Sequence, residues 1–274
     1  MKTKISISLL ALILTISTTW GQNKETRDVP TFSKISFRTG GKLYLKQGSP
    51  QKVELEGDKD ALAKIETEVN GDRLIIGRED KWFDWGWDWS DHDRVTVYVT
   101  VKDISALSVS GSGYLIAQTK LVSGDMDLKV SGSGTLQAEI EASGDMEADV
   151  SGSGKIDVKG RCRSFDSDVS GSGKVLLGVT VAEKASFGVS GSGKIEASGS
   201  AVEAKTSISG SGKVYASNFE VDKCDIHISG SGDVEINVKS ELDANISGSG
   251  SVSYKGNPSH VNSHSSGSGS IRKM

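Results

Sequence analysis

The chain has 274 residues, with 32 Lys and Arg against 36 Asp and Glu. A formal charge of −4 excludes a strongly basic nucleic-acid binder, and 35% hydrophobic content excludes a multi-pass membrane protein. Its 43 Ser and 33 Gly would ordinarily mark a flexible low-complexity chain, but here they recur at a fixed period.

Lys2 and Lys4 precede an apolar run from Ile5 to Ile16, and small or polar residues follow up to Gly21. That is the layout of a secretory signal peptide over residues 1–21. The apolar run falls well short of the ~20 residues a spanning helix needs, so it is not an anchor. No other stretch could span a bilayer, and no membrane span remains after cleavage. The expected destination, through the Sec pathway, is the periplasm or the medium rather than the cell surface. Residues 22–30 read as a short tail and 31–274 as one elongated domain.

Within residues 31–109 the same unit is present in degenerate form. Ile35 and Phe37 alternate with polar residues. Arg38-Thr39-Gly40-Gly41, followed by Leu43 and Leu45, reads as a glycine corner between two strands. Asp60 to Glu68 reads as a short helix or a turn, and Gly71-Asp72-Arg73-Leu74-Ile75-Ile76 as a further corner. Residues 79–93 read as a Trp-rich hairpin. It carries Trp82, Phe83, Trp85, Trp87 and Trp89, with six acidic residues against the single Lys81. In an extended strand Phe83, Trp85, Trp87 and Trp89 share one face. That face either caps the open end of the coils or forms a platform for sugar rings or a partner protein. A calcium loop through Asp84, Asp88, Asp91 and Asp93 is the third reading. The five aromatic residues are the candidate ligand- or partner-binding residues.

From residue 110 onward the repeat is regular. Ser-Gly-Ser-Gly begins at Ser110, Ser131, Ser151, Ser170, Ser190, Ser209, Ser229, Ser247 and Ser266, at intervals of 18 to 21 residues. Counting from the first Ser, position six is always aliphatic, from Leu115 and Leu136 to Val252 and Ile271. The residue before each later motif is Val or Ile, as in Val130, Val169 and Ile246. Apolar positions spaced by two are the signature of strands. One repeat is therefore one coil, with a strand entering and a strand leaving each glycine corner, and stacking buries what a single coil cannot. A second bend falls near Gly124, Gly144, Gly160 and Gly199. The fold class is all-β: a single-stranded, right-handed parallel β-helix of about 19–20 residues per coil, the hand following from crossover chirality. The apolar columns fade at Ser265 and Lys273, as expected of a polar terminal coil.

A search for chemistry returns little. Calcium-binding β-helix repeats need Asp after Gly-x-Gly, and only Asp233 of nine corners supplies one. Lys155, Lys174, Lys194 and Lys213 follow four consecutive corners and should stack up one face, with Asp157 and Glu196 to neutralise them; a solvated face and a groove for an anionic polymer are the two readings. His260 and His264 carry a metal spacing only on a helix. No metal site, cofactor or catalytic residue is expected. Cys162 and Cys224 lie three coils apart, roughly 14 Å, too far for a disulfide. Both are expected to be reduced.

The signal peptide, the Val29-Pro30-Thr31-Phe32-Ser33-Lys34-Ile35 stretch and the repeated Val-Ser-Gly-Ser-Gly together resemble a bacterial family, the putative auto-transporter adhesin, head GIN domain. The resemblance covers nearly the whole mature chain. It implies an extracytoplasmic β-helix and an adhesin-like role, with no catalytic residues. The expected function is a non-catalytic binding or structural module that contacts a glycan or a cell-envelope protein. A glycan-active β-helix enzyme is the alternative, because rung-to-rung carboxylate pairs leave no linear motif. An ice-binding array of stacked Ser hydroxyls is a third class.

Overall fold

The computed structural model describes residues 23–78 and 95–274. The proposed signal peptide and the Trp-rich segment lie outside the described residues. The chain begins with β1 (Asn23–Arg27), β2 (Lys34–Arg38) and β3 (Lys42–Gln47). It reverses in β4 (Lys52–Gly57), turns through the short helix α1 (Lys59–Ala63), and continues as β5 (Ile65–Asn70) and β6 (Arg73–Arg78). After β7 (Thr96–Val101), β8 (Ala106–Gly111), β9 (Tyr114–Ala117) and β10 (Leu121–Ser123) the coils become regular. They comprise β11 (Met126–Gly132), β12 (Thr135–Ala142), β13 (Asp145–Gly152), β14 (Lys155–Cys162), β15 (Ser164–Gly171), β16 (Lys174–Val181) and β17 (Lys184–Gly191). The long β18 (Lys194–Gly210), β19 (Lys213–Gly230) and β20 (Asp233–Gly248) each run through a bend, and β21 (Ser251–Lys255), β22 (His260–Gly267) and β23 (Ser270–Lys273) finish the stack. With 74% strand and 2% helix, the protein is an all-β solenoid of stacked parallel strands, as the repeat implies.

Each coil has an inbound strand before its Ser-Gly-Ser-Gly corner and an outbound strand after it. Inbound strands stack in parallel with no slip: Val130 pairs with Val150, Val150 with Val169, and Val169 with Val189. Outbound strands keep the same register near the corner, with Leu136 on Ile156 and Ile156 on Val175, and shift only farther along β18, β19 and β20, after Glu196 and Ala216. A one-residue slip would turn every aliphatic side chain outward, so the buried column fixes the register. These columns are fully buried and form one continuous core along the axis.

The corners need their two glycines for different reasons. Gly171, the first, has φ +112°, a conformation that L side chains rarely adopt. Gly173, the second, has ordinary φ, but a Cβ there would lie 2.4 Å from Val150 Cγ1 and 2.9 Å from the Gly154 carbonyl oxygen. Corner-to-corner hydrogen bonds cause that closeness: Ser172 N donates to Gly152 O and Lys174 N to Gly154 O, both at 2.9 Å. The second bend does not need a glycine in every coil. Gly144 lies in it, but Arg163 makes it in the next coil and Ala182-Glu183 in the one after, while Gly160 and Gly199 sit inside β14 and β18. Ordinary residues thus make it in some coils, whereas Gly160 (φ +136°), Gly199 (φ +123°) and Gly256 (φ +92°), in or within a few residues of it, hold a conformation that favours glycine.

Two features of the N-terminal part differ from the sequence reading. Gly71 is not a corner. With Asp72 it closes the antiparallel hairpin of β5 and β6, with Asn70 opposite Arg73 and φ +63° at the glycine, the residue such two-residue turns favour. The coils are also not stacked in chain order. β2 pairs with both β6 and β8, and β3 with both β7 and β9. The coil of β2 and β3 is thus sandwiched between a coil that follows it by about forty residues and the first regular coil. Antiparallel strands then finish this end, β5 on β6 and β4 on β7, with β1 on β4. Helix α1 joins β4 to β5 and buries Ala61 and Leu62, Ile65 is buried just after it, and Phe32 is buried ahead of β2. Arg27 reaches the Leu62 carbonyl at 3.1 Å.

Both cysteines are buried and free. Cys162 pairs with Val181 at the end of an outbound strand, and Cys224 sits between Ala204 and Leu242 in the inbound column. Burial pushes both thiols up to about 12. Neither thiol should react with a maleimide in the native state, and both should react in denaturant. Mass spectrometry that found native labelling, or a Cys162–Cys224 bond, would contradict this packing.

Candidate functional site: two charged faces and an interrupted corner column

The interior is filled, so ligand chemistry is confined to the outer faces and the corners. Trp82, Phe83, Trp85, Trp87 and Trp89 lie outside the described residues, as does His92. Their anchors do not. The segment leaves at Arg78, the end of β6, and returns at Val95, just before β7. Every other coil has a tight glycine corner at this place. Lys42 N donates to Val95 O at 3.2 Å, and a Cβ on Gly41 would fall 2.3 Å from that oxygen. Val95 therefore sits directly on the Gly41 corner, and residues 79–94 are an insertion into the corner column.

The outer face of the outbound strands carries the lysine ladder. Lys155, Lys174, Lys194 and Lys213 are paired in register. Lys155 lies 3.3 Å from Asp157, Lys174 2.9 Å and Lys194 3.5 Å from Glu196, and Lys213 3.0 Å from Asp233. Hydrogen bonding to Lys174, ahead of the opposing effect of burial, lowers the Glu196 pKa. Lys194 also stands 4.8 Å over the Tyr215 ring. Asp157 and Glu196 thus offset part of the ladder's charge, as the sequence implied, and Asp233 adds a third partner. A shallow groove of about 500 Å³ runs beside it, where Gly178 leaves the floor bare and Asp157, Lys159, Ser198, Tyr215 and Asn218 form the rim.

The outer face of the inbound strands is its opposite. Asp127 pairs with Glu147 and Glu147 with Asp166, and Asp149 pairs with Asp168 one column over. With Asp125 and Asp145 these line a second open groove of about 540 Å³ or stand beside it. Lys129 touches Asp127 at 3.2 Å, Glu147 at 3.7 Å and Asp149 at 3.8 Å, and Arg163 bonds Asp145 at 3.0 Å. Two cations do not balance seven carboxylates. Burial first, then the Glu147 hydrogen bond and charge, push Asp149 up to about 7 against the pull of Lys129. Asp168 is raised as well, by burial and then by Asp166 and Glu147. The linear sequence hides this cluster because its members lie about one repeat apart; reading equivalent positions down the repeats would have found it. No group of three or more His, Cys, Asp or Glu able to hold a metal ion occurs among the described residues. His260 and His264 both lie exposed in β22.

Asp149 makes stability pH-dependent in a defined direction. Its folded pKa lies above the unfolded value of about 3.9, so its favourable contribution is complete below that value and is lost as pH rises towards about 7. Asp149→Asn should flatten this slope and gain on the order of 1–2 kcal/mol at about pH 8, after allowance for solvent screening at a site more than a quarter exposed. Urea midpoints at several pH values would check it; an unchanged slope would remove Asp149 as the cause.

Comparison with known proteins fits this geometry. No curated protein matches the chain. A crystal structure of a putative lipid binding protein from Parabacteroides distasonis aligns over 93% of this chain and 97% of its own, at 24% identity and TM-score 0.69. A putative adhesin from the same organism aligns over 93% and 98%, at 21% identity and TM-score 0.70. Another, from Parabacteroides merdae, aligns over 93% and 97%, at 20% identity and TM-score 0.65. At these identities the likeness establishes the fold. The family model covers residues 31–196 and 176–258, and the chain belongs to the putative auto-transporter adhesin, head GIN domain family.

Proposed function

We propose that this chain is a non-catalytic, extracytoplasmic binding module, exported on the signal peptide of residues 1–21, that contacts a glycan or a cell-envelope protein through Trp82, Phe83, Trp85, Trp87 and Trp89. The observation that carries the reading is the interruption of the corner column at Arg78 and Val95 by an aromatic-rich insertion. Described residues already cover this end of the core, since Ala61, Leu62 and Ile65 are buried in and beside the helix that follows β4. A cap made by the tryptophans is therefore not required, which favours the platform. A segment whose sequence interleaves aromatic and acidic residues suits sugar rings or an apolar protein surface better than an anionic membrane. The test is a glycan array, with capture of solubilised envelope proteins beside it, using the mature protein and a variant with Trp82, Trp85, Trp87 and Trp89 changed to Ala. Specific binding lost in a variant of unchanged thermal stability supports the platform. Large destabilisation supports the cap instead, and binding retained by the variant removes the segment from the site.

A second reading, a glycan-active enzyme, is favoured by one observation: the raised Asp149 beside Glu147 and Asp168 is the kind of pairing a general acid requires. It expects turnover of an acidic polysaccharide that Asp149→Asn abolishes. No turnover across a broad panel would remove it.

A further inference from the structure

The two outer faces carry opposite charge at nearly the same height on the solenoid. On β11, β13 and β15 six carboxylates, with Asp125 in the bend just before β11, stand against Lys129 and Arg163. On the other side, β14, β16, β18 and β19 present Lys155, Lys174, Lys194 and Lys213. Lys159 adds a cation with no ion pair among the described residues, and Asp157, Glu196 and Asp233 oppose these five, so the strip keeps a net positive charge of about two. Successive inbound and outbound strands belong to the same coils, so the acidic and basic strips overlap along the axis, offset by one or two rungs.

We propose that the lysine face of one copy docks on the carboxylate face of a second copy, so that solenoids associate side by side. Both ladders are rungs of one backbone, so both repeat at about 4.8 Å. A lysine placed between two carboxylates at one rung is matched at the next, without any fitted register. Three acidic rungs by one eight-residue strand cover ~14 Å by ~26 Å, or about 750 Å² counting both copies, the size of a weak, transient contact. Individual exposed pairs contribute little, so the contact is reversible and salt-sensitive. It joins unlike faces and does not close on itself, so it generates open strings or layers rather than a dimer. It is independent of what the tryptophan segment binds.

The experiment is sedimentation velocity of the mature protein with EDTA present, at about 20 mM and about 500 mM salt. Average mass should climb with concentration in low salt and return to that of the monomer in high salt. Glu147→Lys, Asp166→Lys and Asp168→Lys together reverse one face, at three exposed positions; Lys174→Glu with Lys194→Glu reverses the other. Each variant alone should lose the association, and an equimolar mixture should regain it, because each reversed face then meets its complement. Circular dichroism establishes that both variants keep their strands, and single substitutions replace a combination that does not. A monomer at every concentration in low salt overturns the proposal. So does association that survives high salt or either variant, or a mixture of folded variants that stays monomeric.

Discussion

Gly173→Ala is expected to destabilise the protein by about 3 kcal/mol, although it adds one methyl group. That methyl meets Val150 Cγ1 at 2.4 Å and the Gly154 carbonyl at 2.9 Å, and neither can retreat. Val150 is fixed in the core column, and Gly154 O accepts the Lys174 N–H that joins the two corners. Gly171→Ala should cost a comparable ~1–3 kcal/mol for a different reason, the backbone strain at φ +112°. Gly124→Ala is the control. Nothing lies within 4 Å of a Cβ there, so a change within about 0.5 kcal/mol is expected. Thermal and urea midpoints of the three variants separate the cases. If Gly173→Ala matched the control, the corner packing described above would be wrong.

Phe187 and Phe219 should give the largest single losses in the core. Both are essentially fully buried, with ring centroids 5.5 Å apart and planes at 80°, the edge-to-face arrangement aromatic pairs favour. Truncating either to Ala should cost about 3–5 kcal/mol through lost burial and the cavity left behind. In the double variant the sum should fall short by about 0.5–1.5 kcal/mol, the pair's own interaction. Strict additivity would mean that the rings do not support one another. In both experiments the lesion sits in mid-stack, so the transition should also broaden as the two halves uncouple.

What the sequence made legible is what every coil has to solve again. The corner glycines, the aliphatic column through Leu136, Ile156 and Val175, and the lysine ladder each recur at one position per repeat, so periodicity alone exposed them. The parts that escaped are solved once. Nothing in Asn70-Gly71-Asp72-Arg73 distinguishes a hairpin turn from a worn corner, because both want glycine; only the antiparallel partner decides. The order of the N-terminal coils depends on pairing across 70 or so residues, which no local pattern encodes. The carboxylate face escaped for a subtler reason. Its column is acidic at Asp127, Glu147 and Asp166 and then changes to Ser186 and Lys205, so it is a property of three rungs rather than of the repeat.

The interleaved N-terminal coils give assembly of the chain a direction in time. Between regular coils the ends to be joined are 18 to 21 residues apart, whereas β2 meets β8 across 72 residues and β3 meets β7 across 54. Longer closures cost only about 1 kcal/mol more in entropy, but they slow the search. They also cannot begin before Val101 has emerged from the ribosome or a translocation channel. Until then β3 has no partner strand and β2 has β6 alone, so the coil they form cannot close. The regular coils can meanwhile zip onto one another by short steps. Pulse-labelled hydrogen exchange during refolding should therefore protect β13 to β19 before β2 and β3; the reverse order would place nucleation at the interleaved end.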